Sequence, residues 1–478
     1  MKITTKTLDK SQLPKPIFDE EHQFIELYWK AWEYAWDHIY EKAGAPQSPY
    51  MDEALTPKAI WIWDTCFMVL YCRYAPKYFP GIESLNNFYI PLHDKTKSSL
   101  KIHHIDNPPL FAWVEYEYFK LTGDLERLKW VLEEKQYLQK HYDFINNMKP
   151  LRRKKIGVVP TMAKKYELGY QWRGTQSGMD NTPRGRGKYL KILWIDLLAQ
   201  QGLAAKNLVN IAKMLNNEII ATKFQAEYEK VKKLLNQYYW NEEDGVYYDI
   251  KKKHPKEQVK VKTPATYWPM LANICDENQA KKLAENASNP DIFGGKIPYP
   301  SVSRDDPDFN PEGMYWRGGV WLPMAYMTTK ALEQYGFYEL ADTNAYNLLK
   351  DMLKTYNEYE PATIWEVYSP TEPKPGTYKF NRKVFRPNFC GWSALGPISM
   401  LIENVLGFHH IYASEKKILW RLYRKGRHGI RRLKFGTIIT DILYEKNKVE
   451  ITSNEPYTLY INSKEYKIKK NQQEFEIE

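Results

Sequence analysis

Cysteine is scarce in this sequence, four among 478 residues, and the four form no pattern. Cys66, Cys72, Cys275 and Cys390 sit singly among apolar neighbours, without the paired spacing of a zinc site or of a disulfide framework. They are expected as buried free thiols, with no metal. Long apolar runs are missing too. No stretch reaches the roughly 18 apolar residues of a membrane span, and the opening MKITTKTLDKSQLPKPIFDEEHQF has no apolar leader core. The chain is therefore expected to be cytoplasmic and soluble without membrane insertion, or periplasmic or secreted where a leader has been removed. Equally absent are a phosphate-binding P-loop, a dinucleotide fingerprint, a Gly-x-Ser-x-Gly elbow and a His-Glu-x-x-His helix, which excludes the commonest nucleotide, hydrolase and zinc-peptidase chemistries.

The formal net charge of +11 comes without a zinc-finger, RNA-recognition or helix-turn-helix signature, so no nucleic-acid partner is expected. Much of the excess lies in KKILWRLYRKGRHGIRRLK, residues 416–434, which reads as the charged face of a β-structure. Aromatic residues are plentiful, 15% of the chain with 16 Trp and 37 Tyr, and their flat faces suit both core packing and sugar rings.

From Asp19 to about Gly407 the apolar residues recur at helical spacing, in pairs separated by short polar turns. The first helix is expected to run through DEEHQFIELYWKAWEYAWDHIYEKAG, stopping near Gly44. A hairpin turning at Thr122-Gly123-Asp124 follows, then further pairs at residues 188–240 and 318–359, shorter helices near 60–74, 82–92 and 269–286, and a closing helix in GWSALGPISMLIENVLGF. Roughly a dozen helices in hairpins predict a mainly α protein, an (α/α)6 toroid whose connecting loops shape a central cavity; an open helical solenoid is the alternative. After Gly407 short alternating runs such as GTIITDILY and YTLYIN predict a small C-terminal antiparallel β-domain. The expected boundaries are 1–408 for the catalytic domain with its N-terminal arm and 409–478 for the β-domain.

Three loops combine rings with charge. In AIWIWDTCFM, Asp64 stands beside Trp63 as either a helix cap or an acceptor for sugar hydroxyls. In YQWRGTQSGMDNTPRGRG, Asp180 is the only carboxylate, accompanied by Trp172 and bracketed by Gly178 and Pro183; it is either a catalytic acid or the start of an Asx turn. In EYEPATIWEVYSPTEPKPG, Glu366 is flanked by Trp365 and Tyr368, with Glu360 as its rival. Between the last two lies EGMYWRGGVWLP, where Arg317 follows Trp316 as a ligand clamp or a structural ion pair. Two separated acids with rings and an arginine fit a glycosidase, in which one carboxyl protonates the leaving oxygen and the other activates water. The adjacent His103 and His104 leave open an epimerase that moves protons by histidine, and a non-catalytic sugar-binding protein would keep the same rings.

Together WIWDTCF, SGMDNTPRG, YWRGGVWLP, IWEVYSP and FCGWSALG resemble glycoside hydrolase family 63 and its trehalase-like relatives, including mannosylglycerate-hydrolase-like proteins, over residues 55–408. The resemblance implies an (α/α)6 barrel and an inverting mechanism at an α-glycosidic bond. It implies Asp180 as acid and Glu366 as base, with Trp63, Asp64, Trp316, Arg317 and Trp392 at the sugar. Trp172 joins them as a wall on the reading of its own loop. The expected partner is an oligosaccharide or glycoside, cleaved by an exo-acting enzyme similar to an α-glucosidase without metal or organic cofactor. The chain departs from the family in carrying Gly319 where Pro is usual and SPTEPKPG after the base.

Overall fold

The computed structural model describes residues 7–53, 59–150, 161–381 and 383–477. The first six residues of the N-terminal stretch lie outside them.

Helices dominate, and they sort by how much of each is covered. Every residue of Ile62–Cys72 is buried, as are most of Phe111–Thr122, Ile195–Met214 and Leu322–Gln334. A helix apolar on all sides belongs inside. Their hairpin partners are one-sided: Glu218–Leu234 buries only Ala221, Phe224, Tyr228 and Val231 and gives its other faces to Lys and Glu. The covered helices touch in a closed circuit. Ile62–Cys72 meets Phe111–Thr122, which meets Ile195–Met214, then the short Trp268–Leu271, then Leu322–Gln334, then the segment Ser393–Leu395 running into Gly396–Val405, which returns to Ile62–Cys72.

Local chemistry sets several ends. At the expected turn Gly123 takes a left-handed φ of 69°, and the Asp124 carboxylate caps the next helix by accepting the Arg127 N–H at 3.0 Å. The first helix, Gln23–Asp37, buries Phe24, Leu27, Tyr28, Ala31, Trp32 and Ala35 on one stripe but stops seven residues short of Gly44. There the chain switches to a strand, Ile39–Tyr40, paired with Tyr50–Met51. The helix expected over 269–286 is two pieces, because Asp276 forms a capping box with Gln279 and starts Glu277–Ser288 afresh.

The β-structure is larger than expected. A five-stranded sheet runs in the order Lys15–Phe18, His428–Phe435, Ile438–Glu445, Lys448–Ser453, Asn471–Glu476. A four-stranded sheet contains His410–Tyr412, Lys417–Trp420, Tyr457–Ile461 and Lys464–Ile468, and its central pair is parallel. The two sheets meet where Tyr457 contacts the Thr440 hydroxyl at 3.1 Å and the Phe435 ring at 5.4 Å between centroids. Two expectations are corrected: the sheets are not purely antiparallel, and one strand comes from the N-terminal arm, where Ile17 pairs with Gly429. The basic run contributes to docking: Arg421 pairs with Asp342 of the helix Tyr338–Glu358, Arg427 with Asp19 at 2.8 Å, and Arg424 lies over Phe18 and Tyr346. Among the described residues no helix is long and apolar enough to cross a membrane.

Candidate active site

Loops at one end of the helical circuit enclose a cavity of about 200 Å³ lined by Asp64, Asp180, Glu366 and a wall of rings that includes Trp61, Trp63, Trp316, Trp321 and Trp392. At about 30 Å³ per water this is room for about seven waters, the scale of one sugar ring rather than of a chain.

Asp64 enters from the first turn of Ile62–Cys72. The N-cap position belongs to Trp61, so Asp64 is no cap; it lies inside the turn, buried. Burial, and then the neighbouring Glu366 carboxylate, push its carboxyl well above the ordinary carboxylate range. Trp63 forms part of the wall, and the Asp180 loop closes over it through Gly178. That residue has φ of 84°, and a Cβ there would stand 3.1 Å from the Trp63 ring, so both the backbone conformation and the close approach demand glycine.

Asp180 follows two residues later, as the second residue of a tight turn in which the Thr182 N–H donates to the Met179 carbonyl at 3.1 Å. Asn181 fixes that turn from the far side, donating to the Met314 carbonyl at 3.0 Å and accepting the Trp316 N–H at 2.8 Å. The Asp180 side chain does not fold back as an Asx turn. Its Oδ2 accepts the Lys379 ammonium at 2.5 Å. Burial raises its carboxyl above the ordinary value, and Lys379, then Arg386, oppose the rise.

Glu366 is almost completely buried, at 1% exposure. The Arg386 guanidinium stands 2.8 Å from Oε2, and the Tyr315 hydroxyl donates to Oε1 at 3.4 Å. The Glu366 carbonyl accepts the Trp392 indole N–H at 3.2 Å, so this tryptophan also fixes the backbone beneath the carboxylate. Burial pushes the Glu366 carboxyl up to about 7, with Arg386 holding it back from a larger rise.

Two expected sugar contacts lie elsewhere. Trp172 is fully buried, with its indole N–H on the Asp106 carbonyl at 2.9 Å and its ring edge-on to Trp194. Arg317 points away from the cavity to Asp308 at 2.8 Å, which is the structural ion pair weighed against a clamp. The turn it shares with Trp316 presents the indole instead, stacked on Trp321 at 4.1 Å. The rival Glu360 is exposed and outside the cavity. Gly319 has a reason of its own: its N–H donates to the Gly313 and Tyr315 carbonyls, a bond proline cannot make, and a Cβ would come within 2.5 Å of the Tyr315 oxygen.

Sequence reasoning missed Tyr315, Lys379 and Arg386, and gave little weight to His103 and His104, which also line the cavity. Tyr315 and Arg386 adopt φ of 65° and 48°, left-handed conformations that side chains other than glycine rarely hold; such backbone clusters at working sites. The signal available was compositional: the run KFNRKVFRP between base and Gly-Trp motif is dense in cations and rings. His103 stacks on Trp61 at 4.8 Å and meets His104 edge-on at 4.2 Å. Burial, and then charge repulsion by His103, depress the His104 imidazole to about 3, so it is neutral near pH 7. Among the described residues no group of three His, Cys, Asp or Glu side chains could hold a metal.

Residues 18–379 match the family model described as the mannosylglycerate hydrolase MGH1-like glycoside hydrolase domain. That span includes Asp64, Asp180, Glu366 and Lys379 and stops short of Arg386 and Trp392. An uncharacterized protein of Borreliella burgdorferi is 24% identical, with 95% of each chain covered. A probable mannosyl-oligosaccharide glucosidase of Schizosaccharomyces pombe is 25% identical over 49% of this chain, and this chain spans only 30% of that protein's length. Among solved structures, the GH63 mannosylglycerate hydrolase of Thermus thermophilus in complex with glucose superposes with a TM-score of 0.58 at 18% identity, covering 78% of this chain and 99% of that one. At that identity the likeness is one of fold.

Proposed function

From the premise that the chain belongs to the mannosylglycerate hydrolase MGH1-like glycoside hydrolase family, and is accordingly an inverting glycoside hydrolase of α-glycosidic bonds, we propose that Asp180 is its general acid and Glu366 its general base. The closed circuit of covered helices is then the inner wall of an (α/α)6 toroid, and the cavity is the subsite for the sugar that is cleaved off. The single observation that carries this reading is that the two carboxyls line one small aromatic cavity, each with its own cation.

In this mechanism Asp180 delivers its proton to the glycosidic oxygen as the bond to the anomeric carbon lengthens. Glu366 accepts a proton from a water on the opposite face, and the hydroxide so formed bonds to that carbon, inverting it. Room for the water requires the carboxyls to stand about 6.5–9.5 Å apart. Near pH 7 Glu366 is poised between its two forms, where a general base works best. Trp63, Trp316 and Trp392 provide flat apolar faces for the ring, and Asp64 faces its hydroxyls. A cavity on the scale of one sugar suits exo action on short α-glycosides.

The experiment is proton NMR of the first-formed anomer, with mannosylglycerate and α-linked gluco-, manno- and galacto-disaccharides as substrates. Initial release of the β-anomer by the wild type, with Asp180→Asn and Glu366→Gln nearly silent, is the expected result. Retained α-configuration, or either variant as active as wild type, would overturn the assignment.

A further inference from the structure

The cation on the acid is out of place for a group that has to donate a proton. An ammonium in contact with a carboxyl at 2.5 Å favours the carboxylate and opposes the rise that burial imposes, so it works against the protonated form an acid must have. The same ammonium has a second environment already built. Its nitrogen lies 4.9 Å from the Tyr315 ring centre, 5.3 Å from Phe380 and 5.8 Å from Tyr378, a partial aromatic cage that can keep a cation after its carboxylate partner is taken away. Lys379 is 14% exposed and stands behind the cavity lining, reaching it through its contact with Asp180 and its rings Tyr315 and Tyr378.

We propose that Lys379 is a positioning residue that the leaving group displaces: it holds Asp180 as an anion in the empty site and withdraws to its aromatic cage when the glycosidic oxygen arrives. This rests on the reading of Asp180 as the acid. The proton balance is closed. On displacement Asp180 takes one proton from bulk water; that proton goes to the departing glycosidic oxygen; the proton that Glu366 removes from the attacking water returns to bulk; and the Asp180 carboxylate meets Lys379 again as product leaves. The other charged or titratable groups that line the cavity with Asp180 are Asp64, Glu366, Arg386, His103, the neutral His104 and the Tyr315 and Tyr378 hydroxyls. Arg386 is already engaged by Glu366, which leaves Lys379 as the cation that contacts Asp180 among the described residues. Waiting in this way restricts acid catalysis to a filled site.

The test has two arms. In the first, the protein without ligand is labelled with ¹³C at the aspartate γ-carbons and titrated by NMR, with Asp180 assigned by loss of its signal in Asp180→Asn. Lys379→Met is expected to move the Asp180 midpoint up by about one to three pH units, while Lys379→Arg, which keeps the charge, leaves it within a few tenths. In the second, the limb of the pH profile set by Asp180, identified as the one that Lys379→Met moves, reports the free enzyme in kcat/KM and the complex in kcat. In the wild type the kcat limb is expected about one to three pH units above that of kcat/KM, and in Lys379→Met the two limbs should coincide. A midpoint unmoved by Lys379→Met, or wild-type limbs that already coincide, overturns the proposal. Failure of the underlying reading is distinct: Asp180→Asn would then hydrolyse as fast as wild type, whatever the titration gives.

Discussion

Replacing Glu366 with glutamine should make the protein more stable while silencing it. The reason lies in the cost of an ionised carboxylate at 1% exposure. Burial raises Glu366 from an ordinary 4.5 to about 7 even after Arg386 has been credited. In the unfolded chain the group ionises near its ordinary value; in the folded protein it keeps its proton until about 7. Stability tied to this group is therefore complete below 4.5 and is lost as pH rises through about 7. At about 1.4 kcal/mol per pH unit, the loss reaches about 3 kcal/mol by pH 8. Glutamine has nearly the same shape and never ionises, so Glu366→Gln escapes that loss. Its guanidinium neighbour Arg386 is 36% exposed, so water can take over its solvation. The assay is denaturant unfolding of wild type and variant, followed by circular dichroism, at pH 5 and pH 8. The variant should gain about 3 kcal/mol at pH 8 and less than about 1 kcal/mol at pH 5. A difference between the two proteins that does not change with pH would refute the reasoning, because a packing effect has no reason to track ionisation.

Arg386→Met removes the cation that restrains Glu366, so the base should require a higher pH to ionise. The limb of the kcat/KM profile set by Glu366 should move up from about 7 by about one to three pH units, with about tenfold lost at pH 7 for each unit. Gly178→Ala forces a Cβ against the Trp63 ring at a left-handed φ, and is expected to cost about 1–2 kcal/mol of stability and to raise KM several-fold by tilting that ring, measured by unfolding and initial rates. His104→Ala should keep hydrolysis within about tenfold of wild type, the value of one hydrogen bond of about 1.4 kcal/mol; complete loss would point instead to proton transfer by histidine.

The parts of the site legible in the sequence were those carried by short local patterns. Gly178 and Pro183 announced a rigid turn around Asp180, and the Trp-x-Trp-Asp run placed Asp64 at a helix start, because both signals span a few residues. What failed was whatever depends on distant segments. The counter-ion of Asp180 stands 199 residues further along the chain, and the tie between Asn181 and Trp316 spans 135. No local pattern distinguishes Trp172, whose ring closes a core against Trp194, from Trp63, whose ring faces the cavity. Arg317 and Arg386 present a similar difficulty. Both follow aromatic residues, but the left-handed backbone of Arg386 is a tertiary imposition that composition does not announce. For the fold, helix periodicity was informative from end to end, whereas a four-residue strand at 15–18, KPIF, has too little alternation to be told from a loop.

That strand has a bearing on how the chain is made. Lys15 pairs with Arg431, so the arm finds its partner only after some four hundred further residues have been added by the ribosome. At about 5–20 residues per second the wait is on the order of 20–80 seconds. During that interval Leu13 and Phe18, both buried in the finished protein, have no β-sheet to cover them. The last contact to form at the N-terminal arm is thus timed by translation of the C-terminal sheets, and nascent chains stalled before residue 428 should be the ones that engage chaperones.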